Sequence, residues 1–184
     1  MASLALLWLP IVVSAVLVFV VSAASHMFAP ARRTEWSKAP GEAAIQDGLR
    51  GAAPGLYVFP VPDSPADRGK PEALTRWAQG PSGWISLVPP GPLNMGRNLG
   101  LSLLVNLVVS ALVGYLAVHA LGVAPHGRSI FRLAGLVVTV AYGVGPLYEA
   151  IWYWKPWRSL AMTLLESLLY GPVTAGTFAL LWPR

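Results

Sequence analysis

The sequence predicts an all-α membrane protein with four transmembrane helices and one long Pro/Gly-rich loop between helices 1 and 2. Of its 184 residues, 55% are hydrophobic and only 11% are charged, whereas a soluble domain carries about 25% charged residues. Most of the charges crowd between Ser25 and Asn98. Outside that stretch lie apolar runs of the roughly 20 residues needed to cross about 30 Å of hydrocarbon.

The first apolar run, from Leu4 to Ala24, contains no charged residue. It predicts transmembrane helix 1 over residues 1–25. The small residues that begin at Ser22 resemble a signal-peptide cleavage site, but no Lys or Arg precedes the run. We therefore expect the segment to be retained as a helix, with Pro10 close enough to its start to be tolerated.

Residues 26–98 form a polar or interfacial loop region. We expect short helices over Gly41–Leu49 and over Pro71–Gln79, where proline stands at a favoured first helical position. The run Leu56–Phe59 indicates a strand or a segment lying in the membrane interface. Apolar residues elsewhere in the loop predict packing against the membrane surface or a partner. These are Trp77, Trp84 and Ile85.

Residues 99–184 predict a three-helix transmembrane hairpin bundle, with spans at about 99–122, 130–152 and 159–182. The connector between the last two spans is short enough to make those helices antiparallel neighbours. Tryptophans stand near the span ends, where interfacial aromatic belts occur. The predicted anchors are Trp8, Trp152, Trp154, Trp157 and Trp182.

The distribution of basic residues predicts the orientation. Of the 13 Lys and Arg residues, only Arg128, Arg132 and Arg184 lie on the side that holds the termini. The positive-inside rule therefore places loop 26–98 in the cytoplasm and both termini outside.

A few polar side chains lie within the apolar spans, where an ionised group costs about 2.5–3.5 kcal/mol on insertion scales. One interpretation is a proton-linked or ligand-binding pocket in which Glu166 is protonated or paired. The other is that Glu166 and Asn106 only join helices by hydrogen bonds. Glu149 also fits an interfacial ion pair with Lys155 or Arg158. The candidate pocket comprises Asn106, Tyr142, Glu149, Glu166, Ser167 and Tyr170.

Small residues recur at helical spacing and predict close helix contacts. In the second span, every fourth position is small or polar, which places these side chains on one helix face. The third span carries small residues at a similar spacing. The predicted packing residues are Ser102, Ser110, Gly114, Gly135 and Gly143, with Asn106 on the same stripe.

The sequence offers little for catalysis, and no catalytic residue or metal site is predicted. Without cysteine, thiolate metal sites and a cysteine nucleophile are excluded. His119 and His126 lie across about 30 Å of bilayer from His26, so the three cannot share a metal ion. No cofactor is predicted, although haem or chlorin ligation through His26 or His119 alone remains an alternative. A single basic pair, Arg32–Arg33, argues against nucleic-acid binding.

Three stretches resemble an uncharacterised family of short four-helix bacterial cytoplasmic-membrane proteins. They are the first span with its exit to Arg33, the loop motifs Ala53–Pro60 and Gly91–Gly96, and the terminal stretch Tyr170–Pro183. The resemblance implies a multi-pass protein of the bacterial inner membrane. It implies no activity and no functional residues.

We therefore predict a non-catalytic integral membrane protein, an accessory or interaction subunit of a larger membrane complex. Its partners would be the lipid bilayer and other membrane subunits, or further copies of itself. One alternative is a small proton-linked carrier or membrane-embedded enzyme that uses Glu166. A further alternative is a pigment- or haem-binding subunit.

Overall fold

A computed structural model describes residues 4–33, 35–122 and 125–183, with the side chains of Leu4 and Arg33 excepted. Within these ranges, four helices are long and apolar enough to cross a membrane, which confirms the predicted number of spans. They cover Ala5–Phe28, Met95–Leu121, Gly127–Trp152 and Trp157–Leu181. The first residues of predicted helix 1 and the terminal Arg184 lie outside the described residues.

The described chain is mostly helical. Two single-turn 3-10 helices lie at Leu4–Leu7 and Pro65–Asp67. The α-helices are α1 (Trp8–Phe28), α2 (Pro30–Arg33), α3 (Glu42–Gly48), α4 (Pro71–Gln79), α5 (Met95–Leu121), α6 (Gly127–Gly143), α7 (Gly145–Trp152) and α8 (Trp157–Leu181). Two strands, β1 (Gly55–Phe59) and β2 (Gly83–Leu87), complete the elements.

The membrane-spanning helices belong to a unit made of the residues up to Ser37 and those from Asn94 onward. In this unit α1 packs against α5 and α8, and α6 packs against the same two helices, so the four form a closed ring. Side chains buried at the centre of the ring come from all four helices. They are Val18, Val113, Ile130, Ala134, Val138, Tyr170, Ala175 and Phe178.

The closest helix pair, α6 with α8, depends on glycine. A Cβ atom built on Gly171 would lie 3.0 Å from the backbone carbonyl oxygen of Gly135, and one on Gly135 would lie 3.5 Å from the Cβ of Ala175. A larger residue at Gly171 would have to push the two helices apart. Small residues therefore set the spacing between α6 and α8.

The third membrane-spanning segment consists of two consecutive helices, because α6 ends at Gly143 and α7 begins at Gly145. Pro146 stands in the first turn of α7, and without an N–H it cannot continue the hydrogen-bond ladder of α6. Val144 between them keeps right-handed helical backbone angles. The interruption is thus local, and Gly127–Trp152 together form one segment long and apolar enough to cross a membrane.

Residues Lys38–Leu93 form a second unit, which contains α3, α4 and a two-stranded antiparallel sheet. The register pairs Gly55 with Leu87 and Phe59 with Gly83. The strand β1 covers the run Leu56–Phe59, for which a strand was one of the two predictions. The strand β2 was not predicted, since its residues were interpreted only as an apolar part of the loop. In the same unit the rings of Trp77 and Trp84 meet edge to face, with centroids 6.4 Å apart.

Candidate functional site

A cavity of about 980 Å³ lies at the end of the helix bundle where α1 finishes and α5 and α8 begin. All of the residues that line it belong to the membrane-spanning unit. Most of the lining surface is apolar. The main apolar side chains are Val18, Phe19, Met27, Met95, Leu99 and Val105.

The strongest polar feature of the cavity is an ion pair between Arg32, in α2, and Glu166, in α8. The Nε of Arg32 donates to Oε1 of Glu166 at 2.9 Å, and Nη2 donates to Oε2, so the contact is bidentate. The hydroxyl of Ser25 donates to the same Oε1. The two charged side chains are only 9% and 7% exposed. This pair ties the chain that follows α1 to the middle of α8.

Arg32 makes two further contacts around the ion pair. Its Nη1 donates to Oε1 of Glu35 at 2.8 Å, and its Nη2 donates to Oγ1 of Thr163 at 3.3 Å. The hydrogen bond with Glu166 raises the pKa of the Arg32 guanidinium above its usual value, with charge attraction from both carboxylates adding to the effect. Arg32 is therefore permanently charged and firmly held.

Glu166 lies about 13 Å along α8 from Trp157, at about 1.5 Å per residue. A carboxylate at that depth is costly unless it is paired and hydrogen-bonded. Of the two states predicted for Glu166, protonated or paired, the structure has the paired one. Both of its oxygens accept from protein donors, so Glu166 serves as a structural anchor here.

A second polar group joins α5 to α6 across the cavity. The Oη of Tyr142 donates to Oδ1 of Asn106 at 2.7 Å. The ring of Tyr142 meets that of Tyr170 edge to face, with centroids 5.3 Å apart. Asn106 is only 7% exposed and lines the cavity. Its amide nitrogen has no hydrogen-bond partner among residues 4–33, 35–122 and 125–183.

The structure brings together four of the six residues predicted for the pocket. Asn106, Tyr142, Glu166 and Tyr170 line the cavity, whereas Glu149 and Ser167 do not. Glu149 is exposed, and its Oε2 accepts from Nζ of Lys155 at 2.9 Å. The buried Ser167 donates to the backbone carbonyl of Leu164 at 2.7 Å. Its side chain fills the space beside Gly143 in the contact between α6 and α8.

The residues of α5 that were predicted to pack against other helices have two different environments. Ser110 is buried and accepts a hydrogen bond of 3.0 Å from Ser14 of α1. Gly114 leaves room for Ile11, whose nearest carbon lies 3.3 Å from a Cβ built on the glycine. Ser102 differs from the prediction, because it is exposed and lines the cavity instead of packing against a helix. One helical face thus serves packing at one end and the cavity at the other.

Four of the five predicted tryptophan anchors are exposed, as an interfacial position requires: Trp8, Trp152, Trp154 and Trp157. Trp182 differs, because it is half-buried and packs against the central core. Its Nε1 is buried and has no hydrogen-bond partner in the part of the chain that the structure describes. Trp182 therefore contributes mainly to helix packing.

The histidines lie apart from one another. The Nδ1 of His26 is 2.9 Å from the carbonyl oxygen of Ser22, and His26 lines the cavity. His119 lies at the other end of α5, with Nδ1 2.7 Å from the carbonyl oxygen of Tyr115. Within the described ranges, no three His, Asp or Glu side chains are grouped to hold a metal ion. Ligation of haem or a chlorin by His26 or His119 alone stays an alternative, and no cofactor is predicted.

Sequence reasoning missed the parts of the site contributed by Arg32, Ser25 and Thr163. Arg32 was treated only as loop charge, although it is the first cation after α1. A signal existed, because a carboxylate within a span needs a cation and the candidates begin at the end of the neighbouring helix. What the sequence lacked was evidence that α1 is adjacent to α8.

Comparisons with known proteins identify no relative: no family model, no curated protein and no solved structure matches this chain.

Proposed function

We propose that this protein is a non-catalytic integral membrane protein that binds an amphiphilic molecule in the cavity at the loop end of its bundle. The observation that carries the proposal is the combination of a mostly apolar wall with Asn106, a largely buried lining residue whose amide nitrogen has no partner among the described residues. Ligand sites are typically apolar cavities of about 300–1,000 Å³ with a few placed polar groups. This cavity lies at the upper end of that range.

The arrangement of Glu166 favours binding over proton transfer. A proton carrier needs a carboxyl group that alternates between protonation states, whereas Glu166 is held by Arg32 and Ser25. Removing one member of the ion pair would leave the other as a buried charge without its partner. The pair therefore supports a fixed cavity wall, and the carrier or enzyme alternative receives less support from the geometry.

Occupancy of the cavity is testable by purifying the protein in mild detergent and identifying bound molecules by native mass spectrometry. Ala23 lines the cavity, so Ala23→Trp should fill part of it and abolish the retained amphiphile. Ala161 is an exposed residue of α8 outside the lining, and Ala161→Trp is the matched control. Equal retention by both variants, or no retention by the wild-type protein, would contradict the proposal.

We further propose that the protein is an accessory or interaction subunit in the bacterial inner membrane. The many exposed apolar side chains of its membrane-spanning helices support this role, because they offer surface to neighbouring membrane subunits as well as to lipid. The role predicts co-purification with other membrane proteins or with further copies of the chain. A monomer that is stable and fully functional alone would contradict it.

The proposed orientation has the loop in the cytoplasm and both termini outside, as the excess of loop Lys and Arg favours. The natural absence of cysteine makes single-cysteine labelling clean. Ser37→Cys on the loop side and His126→Cys on the other side form a matched, exposed pair. In intact cells, an impermeant maleimide should label the second variant only, and the reverse pattern would overturn the orientation.

A further inference from the structure

We infer that the amphiphile bound in the cavity has an uncharged head and presents a carbonyl oxygen to the amide nitrogen of Asn106. This inference rests on the proposed function and specifies the chemical class of its ligand. It depends on two observations, which are the pairing of the charged groups in the lining and the donor that Asn106 contributes deep in the cavity, whose acceptor is not among the described residues.

The charged groups of the lining are already engaged by the protein. Arg32 holds Glu166 and Glu35, and the lining cation Lys155 holds Glu149. This cluster contains three carboxylates and two cations, so its charge does not favour an anion. At Arg32, a phosphate or carboxylate headgroup would have to displace Glu166 or Glu35 from its buried partner, whereas at Lys155 it would meet the exposed carboxylate of Glu149. An uncharged head avoids that cost.

Asn106 is the donor that the protein leaves unused. Its side chain is more than nine-tenths buried, and its Oδ1 is committed to the hydroxyl of Tyr142. Among the described residues, the fully buried side-chain atom without a partner is Nε1 of Trp182, so the amide nitrogen of Asn106 is accessible from the cavity that the residue lines. A molecule in the cavity that accepts from this N–H gains a hydrogen bond. The hydrogen bond from Tyr142 also fixes the rotamer of the amide, which makes the donor preorganised.

The position of Asn106 indicates what kind of molecule reaches it. The residue lies about 16 Å along α5 from Met95, at about 1.5 Å per residue. Between the two lie Leu99 and Val105, and Val18 and Phe19 of α1 complete the apolar wall. A ligand that reaches Asn106 must tolerate this apolar path. An ester carbonyl of a glycerolipid and a ring carbonyl of an isoprenoid quinone both meet the requirement.

The experiment measures affinity with defined probes in nanodiscs made of an ether-linked zwitterionic phospholipid, which offers no ester carbonyl of its own. The carbonyl probes are dioleoylglycerol and a short-chain ubiquinone analogue, and whichever binds more tightly identifies the source of the carbonyl. The dialkyl ether analogue of dioleoylglycerol is the matched ligand without a carbonyl. Phosphatidylglycerol tests the anionic class. We expect wild-type protein to bind the ester more tightly than the ether, by roughly three- to tenfold.

The matched variants are Asn106→Leu and the double variant with Tyr142→Phe. The single variant leaves the Tyr142 hydroxyl buried without its acceptor, so it can lose stability. The double variant removes both partners, which is nearly neutral for folding. We expect the double variant to keep the wild-type melting temperature and to bind ester and ether equally.

Three results separate the possibilities. If wild-type protein binds none of the probes, the proposed function itself fails. If it binds the ether as tightly as both carbonyl probes, or if the double variant retains the preference for a carbonyl probe, only the present inference fails, and a water molecule on Asn106 becomes the explanation. Tighter binding of phosphatidylglycerol than of either carbonyl probe would also overturn the inference.

Discussion

Removing either partner of the buried ion pair should destabilise the protein, but by unequal amounts. In Arg32→Gln, Glu166 keeps the hydrogen bond from Ser25 but loses its cation, so an uncompensated carboxylate remains at a site 7% exposed. Glu35, 13% exposed, loses its partner as well. Breaking a buried pair in this way costs about 3–5 kcal/mol. In Glu166→Gln, Arg32 still holds Glu35. We therefore expect a smaller loss, of about 1–3 kcal/mol.

The assay is equilibrium unfolding of both single variants and the double variant in one detergent, analysed as a double-mutant cycle. The double variant no longer carries the buried charge of Glu166, although Glu35, 13% exposed, still lacks Arg32, so it should recover part of the stability lost in Arg32→Gln. The reasoning would be refuted if Arg32→Gln lay within about 1 kcal/mol of wild type. It would equally fail if the double variant were less stable than both single variants.

Two further predictions concern other contacts. Gly171→Ala should cost about 1–3 kcal/mol, because the new Cβ would lie 3.0 Å from the carbonyl oxygen of Gly135. Gly176→Ala in the same helix meets open space and should be neutral or stabilising in the same unfolding assay, so equal losses would contradict the packing account. Glu149→Gln should change stability by less than about 1 kcal/mol, since its ion pair with Lys155 is exposed. A larger loss would mean that this pair is buried in an assembly.

The four spans were predictable because hydrophobicity over about 20 residues is a local property of the chain. The interruption at Gly143 was partly predictable, since Gly and Pro cluster there. The strand β2 was not predicted because Gly83–Leu87 is identified as a strand only by its hydrogen-bonded pairing with β1, which the sequence does not show. A two-stranded sheet of this size leaves a weak periodic signal in the sequence.

The candidate site was only partly predictable, because its residues come from different helices. Asn106 and Glu166 were recognisable, since a polar side chain in an apolar span is conspicuous in the sequence. Their partners were not, because Arg32 and Tyr142 follow from which helices are neighbours. Ser102 and Ser110 show the same limit, since they share a helical face yet one lines the cavity and the other packs against α1.

Photo-crosslinking from inside the cavity tests the central claim most directly. A benzophenone amino acid at position 102, which lines the cavity, should give one discrete lipid adduct when irradiated in native membranes. The same group at position 101, an exposed residue outside the lining, should give the mixture of bulk membrane lipids. Mass spectrometry of the adducts distinguishes the two patterns. Identical mixtures from both positions would show that the cavity selects no ligand and would contradict the account.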